Sequence, residues 1–154
     1  MKKNYLFLLI IILFIPSCGY SPIYSDVNSE SVRLNILKVS GDEEMNNMFE
    51  IQSKKFTNIR ASKSFDLNVN TNYERNILIK NKSGGASSYS IKTVIEFELV
   101  NTKKNRKFVF SNETKTESMS KEYELKKYER TIKSNFINSK LEELILQLSN
   151  IEWF

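Results

Sequence analysis

The chain contains no histidine and only one cysteine in 154 residues. Without histidine, a catalytic triad with an imidazole base, a zinc site of the Cys/His type and histidine ligation of haem are all excluded. No glycine-rich phosphate loop, nucleophile elbow or metal-ligand spacing occurs. The neighbouring Glu142 and Glu143 do not share a helix face, so we interpret them as surface charge. We therefore expect a protein that is not an enzyme and that has no metal and no cofactor.

The excess of positive charge is small. The chain has 23 basic and 18 acidic residues, which gives a net charge of +5. Lys2 and Lys3 are two of the 23, so a chain without its first 17 residues has 21 bases against 18 acids. This excess is too weak to indicate nucleic-acid binding, and we expect no nucleic-acid partner. It is compatible with an acidic or phosphorylated partner, or with an ordinary solvated surface.

The N-terminus has the pattern of a signal peptide. Lys2 and Lys3 precede an uncharged apolar run, Leu6–Ile15, which is followed by Pro16 and a small residue. The run is about half as long as a helix that spans a bilayer, which is typical of a signal peptide. We predict a signal peptide over residues 1–17.

The only cysteine follows this segment directly. Ile15, Ser17 and Cys18 stand in "IPSC", which resembles the lipobox of bacterial lipoproteins. The resemblance implies that Cys18 is acylated, that the chain is cleaved before it, and that the new amine is acylated too. Two or more acyl chains anchor a protein stably, whereas one chain does so only marginally. Alternatives are a secreted protein with a free thiol, or an uncleaved N-terminal anchor.

The residue after Cys18 bears on the destination of the protein. Gly19 stands where an aspartate often directs lipoproteins to remain in the inner membrane. The resemblance therefore implies the outer membrane, with the protein lipid-anchored on its periplasmic side. Residues 18–31 are polar and are predicted to be a tether, and residues 32–154 to be one domain.

The first part of the domain reads as a strand and a helix. Val32–Ser40 alternates in hydrophobicity, with a change of phase near Leu37 that predicts a bulge. Ser40 and Glu43 have the spacing of a capping box, which predicts that Ser40 caps the helix that follows. The helix is predicted from apolar residues at helical spacing, together with one glutamine: Met45, Met48, Phe49, Gln52, Phe56 and Ile59.

Three long strands are predicted next. They are Ser64–Lys80, Tyr89–Val100 and Lys107–Ser118, separated by the turns "NKSGGASS" and "NTKKNR". The alternation predicts one apolar and one wet face, and the glycines of the first turn predict a positive φ. The apolar face of the first of these strands comprises Phe65, Leu67, Val69, Tyr73, Ile77 and Ile79.

A second helix is predicted over residues 120–151, with Glu and Lys opposite its apolar stripe. Tyr123 and Tyr128, near its start, are expected to pack in the core, with contact to a partner as the alternative. The stripe comprises Tyr128, Ile132, Phe136, Ile137, Leu141, Leu144, Ile145 and Leu148.

The order of elements is β-α-β-β-β-α. A sheet with one wet face must bury the other, and the two amphipathic helices are the available cover. We predict an α+β two-layer sandwich: a mostly antiparallel four-stranded sheet with two helices on one face.

The stretch "CGYSPIY", which begins at Cys18, resembles the start of the mature chain in the LPS-assembly lipoprotein family LptE. The order of elements and the last helix, rich in acids, bases and leucine, are also similar to that family. The resemblance implies a non-catalytic protein that binds the β-barrel LptD and plugs its lumen. It further implies a role in assembling that barrel and in inserting lipopolysaccharide into the outer leaflet.

A basic cluster lies at the second turn: Lys103, Lys104, Arg106 and Lys107. Closely spaced cations on a loop can capture phosphate groups, which lipopolysaccharide carries. We therefore name these four residues as candidate lipopolysaccharide contacts, with a solvated turn as the alternative.

Two other functions remain open at this point. One is a lipoprotein that works alone and binds a ligand of the cell envelope. The other is a lipoprotein enzyme, which the missing histidine and nucleophile motifs disfavour.

Overall fold

The computed structural model describes residues 32–57, 61–100, 106–119 and 121–151. The predicted signal peptide, the tether with Cys18, and Lys103 and Lys104 lie outside these residues. Their predicted roles therefore remain predictions.

The sheet has four strands: β1 (Val32–Gly41), β2 (Lys63–Lys80), β3 (Ala86–Val100) and β4 (Arg106–Glu117). They lie side by side in chain order. β1 pairs with β2 in parallel, and the other two pairs are antiparallel, so the sheet is mostly antiparallel as predicted. The register between β1 and β2 shifts between Ile36 and Lys38, which confirms the predicted bulge.

Two helices cover one face of the sheet. α1 (Glu43–Ser53) continues into a 3-10 turn and connects β1 to β2, while α2 (Glu122–Ser149) follows β4. The core lies between the two layers, where Phe49 of α1 packs on Phe97 of β3 with ring centroids 5.9 Å apart. The predicted order and the two-layer α+β architecture are confirmed.

The cap of α1 differs from the prediction. Asp42, not Ser40, is the N-cap: its Oδ1 accepts a hydrogen bond from the backbone N–H of Met45 at 2.9 Å. Ser40 is still part of β1, where its Oγ donates to Asn70 Oδ1 at 3.2 Å. Because the parallel strand continues to Gly41, the helix begins two residues later than the capping-box spacing indicated.

The turn from β1 into α1 requires glycine. Gly41 has a φ of +108°, and a Cβ atom there would lie 1.8 Å from the carbonyl oxygen of Thr71. No side chain fits at that distance, so Gly41 lets the chain leave β1 close against β2.

In the part of the chain that the structure describes, no helix is sufficiently long and apolar to cross a bilayer.

Candidate functional site

The helices leave one face of the sheet uncovered, and we call it the open face. Its side chains are polar and mostly exposed, in contrast to the aliphatic and aromatic face beneath the helices. Acidic and basic side chains occur on it in about equal number, which makes the face polar and close to neutral. The charged residues on this face of the four strands are Arg33, Lys38, Asp66, Glu74, Lys92, Glu96, Glu98, Lys107, Glu113, Lys115 and Glu117.

Cross-strand hydrogen bonds order this surface. Asn35 Nδ2 donates to Asp66 Oδ1 at 2.8 Å, between β1 and β2. Asn68 Nδ2 donates to Glu98 Oε2 at 3.3 Å, between β2 and β3. Such pairs hold short polar side chains in fixed positions, so the open face presents a preformed array of donors and acceptors.

The two described residues of the basic cluster, Arg106 and Lys107, do not form a single patch. Arg106 lies opposite Leu99 and Lys107 lies opposite Glu98, so the two side chains belong to opposite faces of the sheet. Arg106 is on the side of the helices, and Lys107 is on the open face.

Lys107 is already engaged by a carboxylate. Its Nζ lies 2.5 Å from Glu96 Oε2. The hydrogen bond with Glu96 raises the pKa of Lys107. Any anionic ligand at this turn would therefore compete with Glu96 for Lys107, and Arg106 is the better placed of the two to bind it.

A buried charged junction, which was not predicted from the sequence, lies under α2. Lys133 Nζ donates to Glu44 Oε2 at 2.9 Å and to Asp42 Oδ1 at 3.3 Å. Its side chain is only 5% exposed. The hydrogen bond from Lys133 lowers the pKa of Glu44, in spite of partial burial. One lysine of α2 thereby fixes the N-terminus of α1.

The junction continues along β2. Arg75 Nη1 lies 2.8 Å from Glu129 Oε1, and this hydrogen bond raises the pKa of Arg75. The pKa of Tyr73 is raised mainly by burial, and next by the negative charge of Glu129.

The spacing of residues along α2 indicates that Glu129 and Lys133 face inward. Glu129 and Lys133 fall on the same i, i+4 row as the buried Leu125, Ile137 and Leu141. The prediction placed Glu and Lys on the outer side of the helix from residue type alone. That was wrong for these two residues, because partners on α1 and β2 satisfy their charges.

The β2–β3 hairpin extends beyond the helices. Ile77, Leu78 and Ile79 are 51%, 46% and 60% exposed, although the alternation assigned Ile77 and Ile79 to the covered face. Ile77, opposite Tyr89, lies on that face, but no described element covers it at this end of the sheet. The register with β3 shifts between Ile77 and Ile79, so Ile79 lies opposite Ser88 and the simple alternation does not hold for it. At the hairpin end Gly84 has a φ of +85°, which confirms the predicted glycine turn.

The outer surface of α2 carries a stripe that combines an aromatic ring and cations. Tyr123, Lys126, Lys127 and Arg130 follow one another at i, i+3, i+4 and i+7 and line a shallow groove. Tyr123 is 74% exposed, so the expectation that it packs in the core was wrong. Lys126 and Lys127 have no ion pair with any described residue, whereas Arg130 Nε pairs with Glu44 at 2.9 Å.

Comparison with known proteins gives a likeness of fold. No protein-family profile matches the chain, and a search of curated proteins finds no significant match. The solved structure of rare lipoprotein B from Shewanella oneidensis is similar over 75% of this chain and 98% of its own, with 13% identity and a TM-score of 0.54. Lipoprotein B from Nitrosomonas europaea aligns over 78% of this chain and 86% of its own, with 13% identity and a TM-score of 0.46.

The likeness to the Shewanella protein shows that the chain shares its fold. That fold is the one expected from the resemblance to the LptE family, so sequence and structure agree at this level. The described residues contain no group of three carboxylate, cysteine or histidine side chains that could hold a metal ion.

Proposed function

We propose that this protein is an outer-membrane lipoprotein, anchored at Cys18 on the periplasmic side, that binds and plugs a β-barrel of the LptD type. In this role it assists assembly of the barrel and insertion of lipopolysaccharide into the outer leaflet. It acts by binding and carries out no catalysis.

The open face is the observation that carries the proposal. A protein that fills a barrel must match an interior that is polar and wet. The open face offers fixed amides, carboxylates and amines, with Asn68, Asn70 and Asn72 in a row along β2 and with charges of both signs. Such a surface can exchange hydrogen bonds with a polar wall without leaving a large unpaired charge.

The fold and the N-terminus support the proposal independently. A lipoprotein of known structure, rare lipoprotein B from Shewanella oneidensis, has the same fold. The lipobox-like "IPSC" and the stretch "CGYSPIY" are the features by which the sequence resembles the LptE family. A lipid anchor beside the barrel raises the effective concentration of the domain there, which favours a complex even when single contacts are weak.

The lipopolysaccharide contact is proposed at the turn between β3 and β4. Arg106 is exposed and makes no ion pair with any described residue, so it is available to a phosphate group. Lys107 can join it only by leaving Glu96. Lys103 and Lys104 complete the proposed set.

Co-purification tests the proposed function. The full-length, lipidated chain with a C-terminal tag is captured from outer membranes solubilised in mild detergent. We expect a large β-barrel protein to be recovered with it in a stoichiometric amount. Recovery of the intact lipoprotein with no barrel protein would contradict the proposal that it plugs a barrel. That result would favour the alternative that the lipoprotein acts without a protein partner and binds a ligand of the cell envelope.

A further inference from the structure

The outer surface of the first half of α2 carries a row of exposed side chains, which we call the α2 stripe. It comprises Tyr123, Lys126, Lys127 and Arg130, all of them exposed. Residues at i, i+3, i+4 and i+7 lie on one side of a helix, so the four side chains form a continuous surface. The stripe combines three cations with one aromatic ring and contains no acidic residue.

The acidic residues in this half of α2 are engaged by cations outside the stripe. Glu122 and Glu129 both pair with Arg75 of β2, at 3.6 Å and 2.8 Å. Glu124 pairs with Lys121, one turn earlier in the chain, at 3.9 Å. These carboxylates are therefore matched to other partners and leave the charge of the stripe uncompensated.

Two cations of the stripe are available to a ligand. Lys126 and Lys127 form no ion pair with any described residue, whereas Arg130 Nε lies 2.9 Å from Glu44 Oε1. The ring of Tyr123, 74% exposed, stands one helical turn before the two lysines. Two unpaired ammonium groups beside an exposed amphipathic ring are complementary to an anionic surface that also has an apolar layer.

We propose that the α2 stripe lies on the membrane and binds the headgroups of anionic phospholipids, in the leaflet that holds the acyl chains of the protein. Lys126 and Lys127 pair with lipid phosphates, and the ring of Tyr123 lies at the level of the headgroups. The inference rests on the proposed lipid anchor at Cys18. It concerns the anchored protein before it enters a barrel, because a domain inside a barrel is shielded from lipid.

The shape of the stripe favours a lipid surface over an acidic protein. Its groove is shallow and is lined by residues of α2 alone. A protein partner is normally held by anchor side chains that fill well-packed pockets, and this groove offers no such pocket. A layer of mobile headgroups requires only exposed cations and an aromatic ring on one side of a helix, which the stripe provides.

The lipid anchor makes a weak contact sufficient. One lysine close to an anionic membrane favours contact by about fivefold, and two lysines by about thirtyfold. A protein without an anchor would gain little from this, because it would also lose its freedom of translation and rotation. An anchored domain is already held at the membrane, so the same two lysines determine which of its faces contacts the lipid.

The length of the chain between the anchor and the domain permits this orientation. Residues 18–31 precede β1 and comprise fourteen residues, which can reach at most about 50 Å. The sheet that contains β1 lies on the inner side of α2, and the stripe lies on its outer side. These two sides are separated by about one helix diameter, ~10–12 Å, so the segment is long enough for α2 to lie against the membrane.

Fluorescence quenching in vesicles tests the proposal with the lipidated protein purified from membranes. The protein is reconstituted in phosphatidylcholine vesicles with or without phosphatidylglycerol, and a lipid with a nitroxide headgroup serves as quencher. A fluorophore is attached to Thr131→Cys, next to the stripe, or to Val109→Cys on the open face, which is 57% exposed. We expect phosphatidylglycerol to increase quenching at residue 131 by about fivefold or more and to leave residue 109 weakly quenched.

Mass spectrometry first establishes that Cys18 is acylated, which also leaves each variant with a single free thiol. An unacylated Cys18 would reject the anchor and this inference with it.

Charge reversal supplies the second arm, with Thr131→Cys as background. Lys126→Glu together with Lys127→Glu should abolish the effect of phosphatidylglycerol. Lys38→Glu together with Lys115→Glu changes the net charge equally on the open face and should preserve the effect. Circular dichroism checks that each variant is folded.

Three results would overturn the proposal: quenching that does not depend on phosphatidylglycerol, equal quenching of the two fluorophores, or full quenching after reversal of the stripe lysines. The first is also the result expected if an acidic protein is the true occupant of the stripe. The vesicles contain no barrel protein, so failure here is distinct from failure of the co-purification experiment.

Discussion

The ammonium group of Lys133 lies 3.7 Å from the centre of the Tyr73 ring, between α2 and β2. The same nitrogen donates to Glu44 and Asp42 at the start of α1. A single buried cation thus joins both helices to the sheet.

Lys133→Met should destabilise the domain by about 2 kcal/mol, because Asp42 and Glu44 would lose their cation while remaining partly buried. The cost is lower than for a fully buried pair, since the side chain of Glu44 is 38% exposed. Urea denaturation measures the change. Lys127→Met on the exposed side of α2 is the control and should alter the free energy of unfolding by less than about 0.5 kcal/mol. Equal effects of the two variants would show that the junction contributes nothing.

The cap of α1 gives a second prediction. Asp42→Ala should lower the free energy of unfolding by about 1–2 kcal/mol, since it removes the acceptor for the N–H of Met45 and one partner of Lys133. Ser40→Ala should cost clearly less, because the hydroxyl of Ser40 bonds only within the sheet. Thermal denaturation followed by circular dichroism compares them. A larger loss for Ser40→Ala would restore the capping-box assignment.

Glu44 predicts a dependence of stability on pH. Its ordinary pKa of 4.5 is lowered in the folded state by the hydrogen bond from Lys133. A lowered folded pKa stabilises the fold above the unfolded pKa, and this stability is lost as the pH falls through the folded pKa. Glu44→Gln should therefore flatten the decline in stability below about pH 4.5.

Glu43→Gln is the control for this measurement, since Glu43 is exposed and makes no ion pair with a described residue. Denaturation midpoints are recorded at several pH values for each variant. If both variants decline with pH as the unmodified chain does, Lys133 does not act on Glu44 as described.

Gly41→Ala should destabilise the domain severely, by about 3 kcal/mol or more, because a Cβ at Gly41 collides with backbone atoms of Thr71. Gly84→Ala has a comparable positive φ but free space around it, so only about 1 kcal/mol of backbone strain is expected. The yield of folded protein and urea denaturation separate the two cases. A similar loss of stability in the two variants would mean that the backbone of the turn at Gly41 can shift to accommodate a side chain.

The strands were predictable because the period of two in the sequence reports directly which side chains face the core. Phe97 and Leu99 follow this alternation and are buried as expected. The same pattern could not show where the helices end or where the register of β2 with β3 shifts, so Ile77 and Ile79 looked like core residues. Coverage of a face depends on the packing of elements distant in sequence, which alternation does not encode.

The charged junction could not be predicted from residue type, since lysine and glutamate are rarely buried unless they are paired. Lys133 is paired with residues 89 and 91 positions away along the chain. The position of Arg106 and Lys107 on opposite faces likewise became clear only from the register of β4.

Lipopolysaccharide binding tests the basic turn. Replacing Lys103, Lys104, Arg106 and Lys107 by serine should weaken binding by about tenfold, which corresponds to ~1.4 kcal/mol. A control that replaces Lys82, Lys121, Lys126 and Lys127 removes the same charge elsewhere and should have a smaller effect. Unchanged affinity in the first variant would discard the turn as the site, and a larger loss in the control would favour the outer surface of α2.

Site-specific photo-crosslinking tests directly the proposed contact between the open face and the β-barrel. A photoreactive amino acid in place of Asn70, which is exposed on β2, is introduced into the lipidated chain in intact cells. We expect a covalent adduct with an outer-membrane β-barrel protein. The electrophoretic migration of this adduct should change when the sample is heated. A folded, membrane-bound variant that is illuminated and yields no adduct with any barrel protein would contradict the account.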